Sequence, residues 1–392
     1  MKGRKIMKKL FAFVMAVMMV LSMMAGCSGA SSYTAKNTEF VIGVSGPLTG
    51  AAAIYGNAVK NAAQLAVDEI NAAGGLNGVK FKLIAMDDKH DPTLVSGNYS
   101  AMLEGGMQLS LGTVTSGPAL EFKNLSVEDN VFFLTPSASN DEVPKNPNGY
   151  QMCFADGNQG KVAADFVNQN FSGKTIGVFY KADENYSKGI YDQFKANLDA
   201  SVSVIETSFT DAGATDFSTQ IDTLKDCEFI FMPTYYDPAS LFMTQAKDVL
   251  SPSAVYYGCD GFDGIDSKEG FDITAIPQEV TMLSHFNSKA TEGPAKEFID
   301  KYVAKFGADT LNQFGASAYD CVYALYGAMK KAIDAGKKIN VTISASDLCE
   351  ILKAEFQGGY TVTNAVTGES ISWDSTGYVN KTAIQYVIKE AN

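Results

Sequence analysis

Short apolar runs of strand length alternate with helix-length segments along most of this chain. The run 39–47 predicts a strand, and apolar side chains at helical spacing predict a helix over 53–75. That helical stripe consists of Ala58, Ala62, Leu65, Ala66 and Ile70. Strands at 81–88, 107–116 and 131–139 alternate with helices at 92–106 and 117–130. This order predicts a doubly wound, mainly parallel sheet.

The same order starts again at residue 174, which indicates a second α/β unit. The further strands are predicted at 174–183, 203–209, 229–236 and 254–261. The helices between them are predicted at 185–200, 215–225 and 238–250. A helix at 291–306 is predicted to cross between the units, a helix at 315–336 follows, and 371–389 is predicted to form a hairpin. The predicted fold class is therefore α/β, with two doubly wound parallel-sheet lobes.

The N-terminal segment has the features of a secretory signal. Its first ten residues carry five basic side chains and no acidic one, and an apolar run of 16 residues separates them from Cys27. This run is short for a membrane-spanning helix, which needs about 20 residues. Residues 24–27 resemble a bacterial lipobox, whose cysteine is lipidated, and an ordinary signal cleaved nearby is the alternative. We predict a signal peptide at 1–26, a flexible tether at 27–38 and a lipid anchor on Cys27 at the outer face of the cell membrane.

The remaining chain is strongly acidic. Removal of residues 1–26 takes away five of the 31 Lys and Arg residues and none of the 44 acidic residues, so the mature charge is about −18. Such a chain repels nucleic acid and anionic lipid, and we predict neither as a partner. An odd number of cysteines remains, and none has a close His or Cys neighbour, so we expect buried thiols, with a disulfide as the alternative, and no metal site. We also expect no cofactor. These cysteines are Cys153, Cys227, Cys259, Cys321 and Cys349.

Small hydroxyl, aromatic and acidic residues follow the predicted strands. In an open parallel sheet, ligands bind just beyond the carboxyl ends of the strands. The ends in the first half carry Tyr55, Thr115, Ser116, Ser137 and Ser139. The ends in the second half carry Tyr186, Tyr235, Tyr236 and Asp260. A turn with local hydrogen bonds is the alternative explanation for the hydroxyls of "TPSAS", residues 135–139.

This distribution of side chains suits a zwitterionic ligand. Backbone N–H groups and hydroxyls at helix N-termini hold a carboxylate. An ammonium group needs an acidic partner, for which Asp260 is the candidate. Aromatic rings can cover an apolar side chain. We therefore predict a site for an amino acid between the strand ends of the two halves.

Several segments together resemble a known family. They are "FVIGVSGPLTGAAAIYGNAVKNAAQLAVDEINAAGGLNG", "MDDKHDP", "LGTVTSGPALEF", "LTPSAS" and "YKADENYSKG". From about residue 39 to the C-terminus, the chain resembles the leucine/isoleucine/valine-type extracellular solute-binding proteins of ABC transporters. The resemblance implies the type I periplasmic-binding-protein fold, with two lobes joined by a three-crossing hinge and the ligand held between them. It implies an N-terminal lobe of 39–155 and 287–380, and a C-terminal lobe of 156–286 and 381–392.

The resemblance also implies a role for each candidate residue. Ser116 resembles the serine that binds the ligand carboxylate, Ser137 a residue that contacts the ligand through its backbone, and Ser139 a hydroxyl that contacts the head group. Asp260 stands where many members have the acidic partner of the ammonium, with an ordinary turn aspartate as the alternative. The aromatic wall positions match Tyr55, Tyr186, Tyr235 and Phe314, for which ordinary packing is the alternative.

Two features depart from the branched-chain relatives. Those relatives have a disulfide near the first-lobe site, and the matching places here are His90 and Thr115. Asp260 is one methylene shorter than their glutamate. Because pocket depth and ammonium position decide which side chain fits, aliphatic, aromatic and small polar amino acids all stay open, as do amides and short-chain acids.

An enzyme and a sensory module are the rival function classes. The chain has two histidines and none of the GxSxG, HExxH, CxxC or P-loop patterns of common catalytic sites. The acidic loop 87–91 has the ligand types for a divalent ion, but we favour a solvated loop. A sensory lipoprotein that hands the ligand to a separate receptor is the alternative function. We predict a monomeric binding protein, not an enzyme, that delivers an amino acid to an ABC permease.

Overall fold

Two sheets of mainly parallel strands form the framework of the protein, as predicted. The computed structural model describes residues 37–210 and 214–391, so the predicted signal peptide, Cys27 and most of the tether lie outside the described residues. In the first sheet the strand order is β2-β1-β3-β4-β5, and each pair is parallel. Its strands are β1 Phe40–Gly46, β2 Phe81–Asp87, β3 Leu109–Thr113, β4 Phe133–Thr135 and β5 Gly149–Gln151.

The second sheet has the strand order β13-β10-β9-β8-β6-β7. Its pairs are parallel except for β13, which runs antiparallel to β10. Its strands are β6 Thr175–Lys181, β7 Ser203–Phe209, β8 Phe229–Met232, β9 Val255–Gly258, β10 Glu279–Ser284 and β13 Ile384–Lys389. Because the strands within each sheet are parallel, their carboxyl ends share one edge of that sheet.

Helices connect these strands. They are α1 Ala53–Ala72, α2 Val95–Glu104, α3 Ser116–Glu128, α4 Asp156–Asn170, α5 Asn185–Asn197, α6 Ser218–Leu224, α7 Tyr236–Ala246, α8 Gly293–Phe306, α9 Gln313–Asp334 and α10 Ala345–Gln357. The predicted apolar stripe of α1 is buried at each of its five positions. It packs against α9, and buried residues of both helices belong to one hydrophobic core.

Specific contacts fix the first turns of α1 and α9. A Cβ on Gly56 in α1 would lie 2.1 Å from the Pro47 carbonyl oxygen, so only glycine allows this approach to the end of β1. Helix α9 is capped by Asn312, whose side chain accepts hydrogen bonds from Phe314 N and Gly315 N, both at 3.1 Å. These contacts fix the first turns of both helices beside the strand ends.

The predicted C-terminal hairpin is wrong. Strand β12, Gly368–Ser372, pairs instead with β11, Thr361–Ala365, while β13 joins the second sheet. Trp373 lies between them, is 7% exposed, and donates from Nε1 to the Gln151 carbonyl oxygen at 2.7 Å. Burial of this indole and its hydrogen bond anchors the chain at the first sheet before it crosses to the second. The two C-terminal strands therefore serve different sheets.

The chain passes between the two sheets three times. It leaves the first sheet after β5, returns after β10, and crosses again before β13. The five cysteines of the described residues are buried and free, as expected. Among the described residues we find no helix with the length and apolar character needed to cross a membrane.

Candidate functional site

A small cavity lies where the strand ends of the two sheets meet. It is lined by Tyr55, Val114, Thr115, Ser116, Ser137, Tyr186, Tyr235, Asp260 and Phe314. Seven of the eight predicted ligand-binding residues are in this lining. Ser139 is not, although it is 1% exposed and its hydroxyl has no hydrogen-bond partner in the described part of the chain.

The first sheet contributes the hydroxyl side of the cavity. Ser116 is the first residue of α3, and its Oγ accepts from Asn140 N at 3.2 Å. The hydroxyl proton of Ser116 therefore stays available at a helix N-terminus, where the helix dipole favours an anion. Ser137 donates from Oγ to the Val114 carbonyl oxygen at 2.6 Å. This bond joins the segments that follow β3 and β4 at the cavity wall.

One hydroxyl of the "TPSAS" segment has a purely structural role. Thr135 donates from Oγ1 to the Thr113 carbonyl oxygen at 2.8 Å and accepts from Ala138 N at 3.1 Å. The turn interpretation therefore holds for Thr135. Ser137, two residues later, borders the cavity.

The second sheet contributes a buried carboxylate. Asp260 follows β9 and is 1% exposed. Its Oδ1 accepts from the Tyr186 hydroxyl at 2.7 Å, and its backbone N–H donates to Gln159 Oε1 at 2.9 Å. Its Oδ2 has no partner among the described residues. Burial raises the pKa of Asp260 to about 7, against the opposing effect of the Tyr186 hydrogen bond.

The backbone beside Asp260 requires a glycine. Gly261 N donates to the Tyr186 hydroxyl at 2.8 Å, so this hydroxyl accepts from one residue and donates to its neighbour. A Cβ on Gly261 would lie 2.6 Å from the Tyr186 oxygen and 2.8 Å from the Thr234 carbonyl oxygen. The phenol of Tyr186 is thereby fixed against the carboxylate.

Aromatic rings from both lobes close the cavity. Tyr186 stacks on Tyr235 with ring centroids 4.6 Å apart, and Tyr55 meets Phe314 edge-on at 4.9 Å. The Tyr55 hydroxyl donates to the carbonyl oxygen of Gly261 and accepts from the backbone N–H of Tyr236 at 3.3 Å. Because Tyr55 belongs to α1 of the first lobe and Gly261 to the second, these bonds join the two lobes in a closed arrangement.

The choice of Tyr235 over Tyr236 agrees with the cavity lining. Tyr235 borders the cavity, and its hydroxyl has no partner within the described residues. Tyr236 does not border it and accepts from Ile54 N at 3.4 Å. Tyr236 therefore contributes to the contact between the lobes.

His90 and Thr115 form a hydrogen bond beside the cavity. His90 Nδ1 lies 2.9 Å from Thr115 Oγ1, and the imidazole meets the Tyr235 ring edge-on at 5.3 Å. Burial, and then the charge of Lys181, lower the pKa of His90 to about 4, so the ring is neutral at pH 7. A hydrogen bond therefore joins these two side chains, at the positions where the sequence resemblance implies that a disulfide is absent.

The acidic loop 87–91 uses its carboxylates for local structure. Asp87 accepts from Leu48 N at 2.9 Å, and the buried Asp88 accepts from the Ser45 hydroxyl at 2.9 Å and from His90 N at 3.0 Å. Among the described residues, no three or more His, Cys, Asp or Glu side chains are grouped so that they could hold a metal ion. The contacts of this loop are those of a turn that ends β2.

Two lining residues were not predicted to bind the ligand, although Thr115 was noted as a hydroxyl at a strand end. Val114 and Thr115 follow β3 immediately before Ser116, and both border the cavity. Their position at the end of a predicted strand was the sequence feature that could have identified them. An apolar residue among hydroxyls gave no reason to choose Val114.

Known proteins resemble this chain in sequence and fold. Residues 39–354 match the sequence model of a family described as periplasmic binding protein. A Leu/Ile/Val-binding protein of Rhizobium johnstonii is 30% identical over 343 residues, covering 86% of this chain and 91% of that protein. A leucine-, isoleucine-, valine-, threonine- and alanine-binding protein of Pseudomonas aeruginosa is 28% identical over 345 residues, covering 85% and 86%.

A solved structure extends the likeness to the three-dimensional fold. The branched-chain amino acid transporter substrate-binding protein of Streptococcus pneumoniae, in complex with isoleucine, has a TM-score of 0.76 and 26% identity to this chain. The match covers 90% of this chain and 99% of that one.

Proposed function

Because this chain belongs to the periplasmic binding protein family, we propose that it captures an amino acid between its two lobes, outside the cell membrane, and delivers it to an ABC permease. The observation that carries this proposal is the buried carboxylate of Asp260, whose Oδ2 has no partner among the described residues. It lies across one small cavity from hydroxyls at a helix N-terminus. The relatives' names and the isoleucine complex support an amino acid as the ligand.

The proposed contacts divide the ligand into three parts. Ser116 and the N-terminus of α3 hold the carboxylate, with the Ser137 backbone beside it. Asp260 holds the ammonium, and the Ser139 hydroxyl contacts the head group. The aromatic rings of Tyr55, Tyr186, Tyr235 and Phe314 enclose the side chain.

The lining favours an apolar side chain. Val114 and four aromatic rings form most of the wall, and the neutral His90 keeps its Nδ1 bonded to Thr115. A branched-chain or other apolar amino acid fits this wall, since a charged side chain would be buried without a partner.

Capture is proposed to involve closure of one lobe on the other. We propose lobes of 39–155 with 287–380 and of 156–286 with 381–392, joined where the chain crosses between the sheets. Ligand contacts with Ser116 on one lobe and Asp260 on the other favour the closed form, and Tyr55 adds a bond between the lobes. The closed form then docks on the permease, and the ligand is released without chemical change.

The N-terminal sequence supports a membrane-anchored location. The basic segment, the apolar run and Cys27 fit a lipoprotein signal, so we propose a lipid anchor on Cys27 and a monomer held at the outer face of the membrane. Mass spectrometry of the N-terminal peptide tests the anchor, and light scattering tests the monomer.

A thermal-shift screen tests the proposed function. The purified protein is unfolded and refolded to remove carried-over ligand, and is then heated with each amino acid, related amides and organic acids. A ligand at 100 times its dissociation constant adds about 2.7 kcal/mol of stability. Stabilisation by one class of amino acids is the expected result. Stabilisation by organic acids or amides alone would overturn the zwitterion site.

A further inference from the structure

Helix α1 begins without a capping side chain of its own. Its N-cap residue is Ala52, which has no side-chain oxygen to accept a hydrogen bond from the first turn. The first N–H groups of a helix have no partner within the helix, and a capping side chain normally binds the one two or three residues after the N-cap. In α1 the N–H two residues after the N-cap is that of Ile54. Helix α9, by contrast, is capped by its own Asn312.

A tyrosine of the other lobe binds this N–H group of α1. The Tyr236 hydroxyl accepts from Ile54 N at 3.4 Å, which is long for an N–H···O bond. Helix α1 connects β1 and β2, which are neighbours in the first sheet. Tyr236 begins α7, which connects β8 and β9 of the second sheet. The cap of α1 therefore comes from the opposite lobe.

Two further contacts hold Tyr236 in this position. Its backbone N–H donates to the Tyr55 hydroxyl at 3.3 Å, and its ring meets the Tyr55 ring edge-on with centroids 4.9 Å apart. Tyr236 is 4% exposed, although it does not border the ligand cavity. The contact between the lobes, and not the ligand cavity, is therefore what surrounds this side chain.

A glycine allows the lobes to approach closely at the same place. Gly264 lies in the segment after β9 and has a φ of 92°, in the left-handed region that favours glycine. A Cβ on Gly264 would lie 2.7 Å from Ile54 Cγ2. Ile54 thus meets the second lobe twice, through its N–H at Tyr236 and through its side chain at Gly264.

We propose that Tyr236 is a closure latch, which caps α1 from the opposite lobe and so stabilises the closed form without touching the ligand. This inference rests on the proposed function, in which closure traps the ligand. Because the latch contact joins the lobes only when they are closed, it should slow the release of ligand and leave the association rate unchanged. Because Tyr236 does not border the cavity, it should act equally on every ligand.

Stopped-flow kinetics of Tyr236→Phe, which removes the hydroxyl and keeps the ring, tests the latch. Loss of one hydrogen bond should make release of the best-binding amino acid about threefold to tenfold faster. The same factor should apply to every other amino acid that binds, so the ranking of ligands stays the same. Tyr256→Phe is the matched control and should release ligand at the unaltered rate. Tyr256 is also buried, in β9 of the second sheet, and its hydroxyl has no partner within the described residues.

The outcomes separate the latch from the proposed function. An unchanged release rate in Tyr236→Phe would overturn the latch, and so would a changed ranking of ligands, which would place Tyr236 in the ligand wall. Failure of the unaltered protein to bind any amino acid would overturn the proposed function. X-ray scattering of the ligand-free proteins then tests the latch alone. Tyr236→Phe should have the larger radius of gyration, and equal radii would overturn the latch.

A second variant covers the case in which Tyr236→Phe fails to fold by circular dichroism. Ile54→Ala removes the side chain that meets Gly264, and Ile54 does not border the cavity. Alanine also suits a helix, so α1 is kept. Ile54→Ala should release every ligand faster with the ranking unchanged, and an unaltered release rate would overturn the latch.

Discussion

Asp260→Asn removes one buried charge with almost no change in side-chain volume. Burial raises the pKa of Asp260 from its usual 3.8 to about 7. Each pKa unit corresponds to about 1.4 kcal/mol, so the ionised carboxylate costs the empty, closed protein roughly 4 kcal/mol. In the complex, the ligand's ammonium provides the missing opposite charge. The substitution should therefore affect the empty and the liganded protein in opposite directions.

Calorimetry and denaturant unfolding of the same variant measure both effects. Loss of one partner of a buried charge pair costs roughly 2–5 kcal/mol, and affinity for the amino acid should fall by that amount. Above pH 7 the empty variant should be at least as stable as the unaltered protein. Unchanged affinity would refute the assignment of Asp260 to the ammonium. A parallel loss of affinity and stability would indicate a structural role instead.

The same carboxylate gives the empty protein a pH dependence. Because the folded-state pKa lies above the unfolded value, the folded protein binds the proton more tightly and loses stability as pH rises from 3.8 to about 7. Burial also raises the pKa of Asp88 to about 6 and of Asp263 to about 7, so the Asp260→Asn variant should keep part of this loss of stability with pH. Urea unfolding at pH 5 and pH 7.5 measures the free energy of unfolding of both proteins. An equal loss between the two pH values in the variant and the unaltered protein would contradict the reasoning. The titratable groups around Asp260 are Tyr55, Tyr186, Tyr235, Cys153, Cys259, Asp156 and Asp263.

Three further substitutions probe the other parts of the site. Ser116→Ala should weaken binding by about 1 kcal/mol or somewhat more in calorimetry, while the exposed Ser100→Ala leaves affinity unchanged; equal effects would contradict the carboxylate contact. Tyr55→Phe removes the hydrogen bond to Gly261 and should weaken binding by about 0.5–1.5 kcal/mol, with a larger radius of gyration in X-ray scattering at subsaturating ligand. His90→Ala opens space beside the aromatic wall and should shift preference towards larger side chains in a ligand panel, whereas an unchanged ranking would exclude His90 from selectivity.

Local sequence patterns were sufficient for most of the framework. The apolar stripe of α1 depends on spacing within one helix, and the strand ends depend on short runs, so both could be predicted from neighbouring residues. Parallel strands bring their carboxyl ends together, which accounts for six of the seven predicted site residues in the cavity lining. The seventh, Phe314, was predicted from the family resemblance. The hairpin prediction failed because the partner of each strand is decided by distant residues. Trp373, for example, bonds to Gln151, 222 residues away.

The surroundings of Asp260 could not be found from local patterns. Asp156 begins a helix, where an acidic residue is common because it favours the helix dipole. Gln159 is an unremarkable polar residue on the same helix. Only the fold brings Gln159 into contact with Asp260, which lies about a hundred positions further along the chain. Chemistry that depends on such distant pairs requires the structure.

The central claim is that the site binds both charged groups of an amino acid at once. It is tested most directly by titrating the protein with the best-binding amino acid, with the amine that lacks its carboxylate, and with the acid that lacks its amino group. The account predicts tight binding of the amino acid and at least a hundredfold weaker binding of each of the other two. An acid that binds as tightly as the amino acid would contradict the role of Asp260 and the zwitterion site.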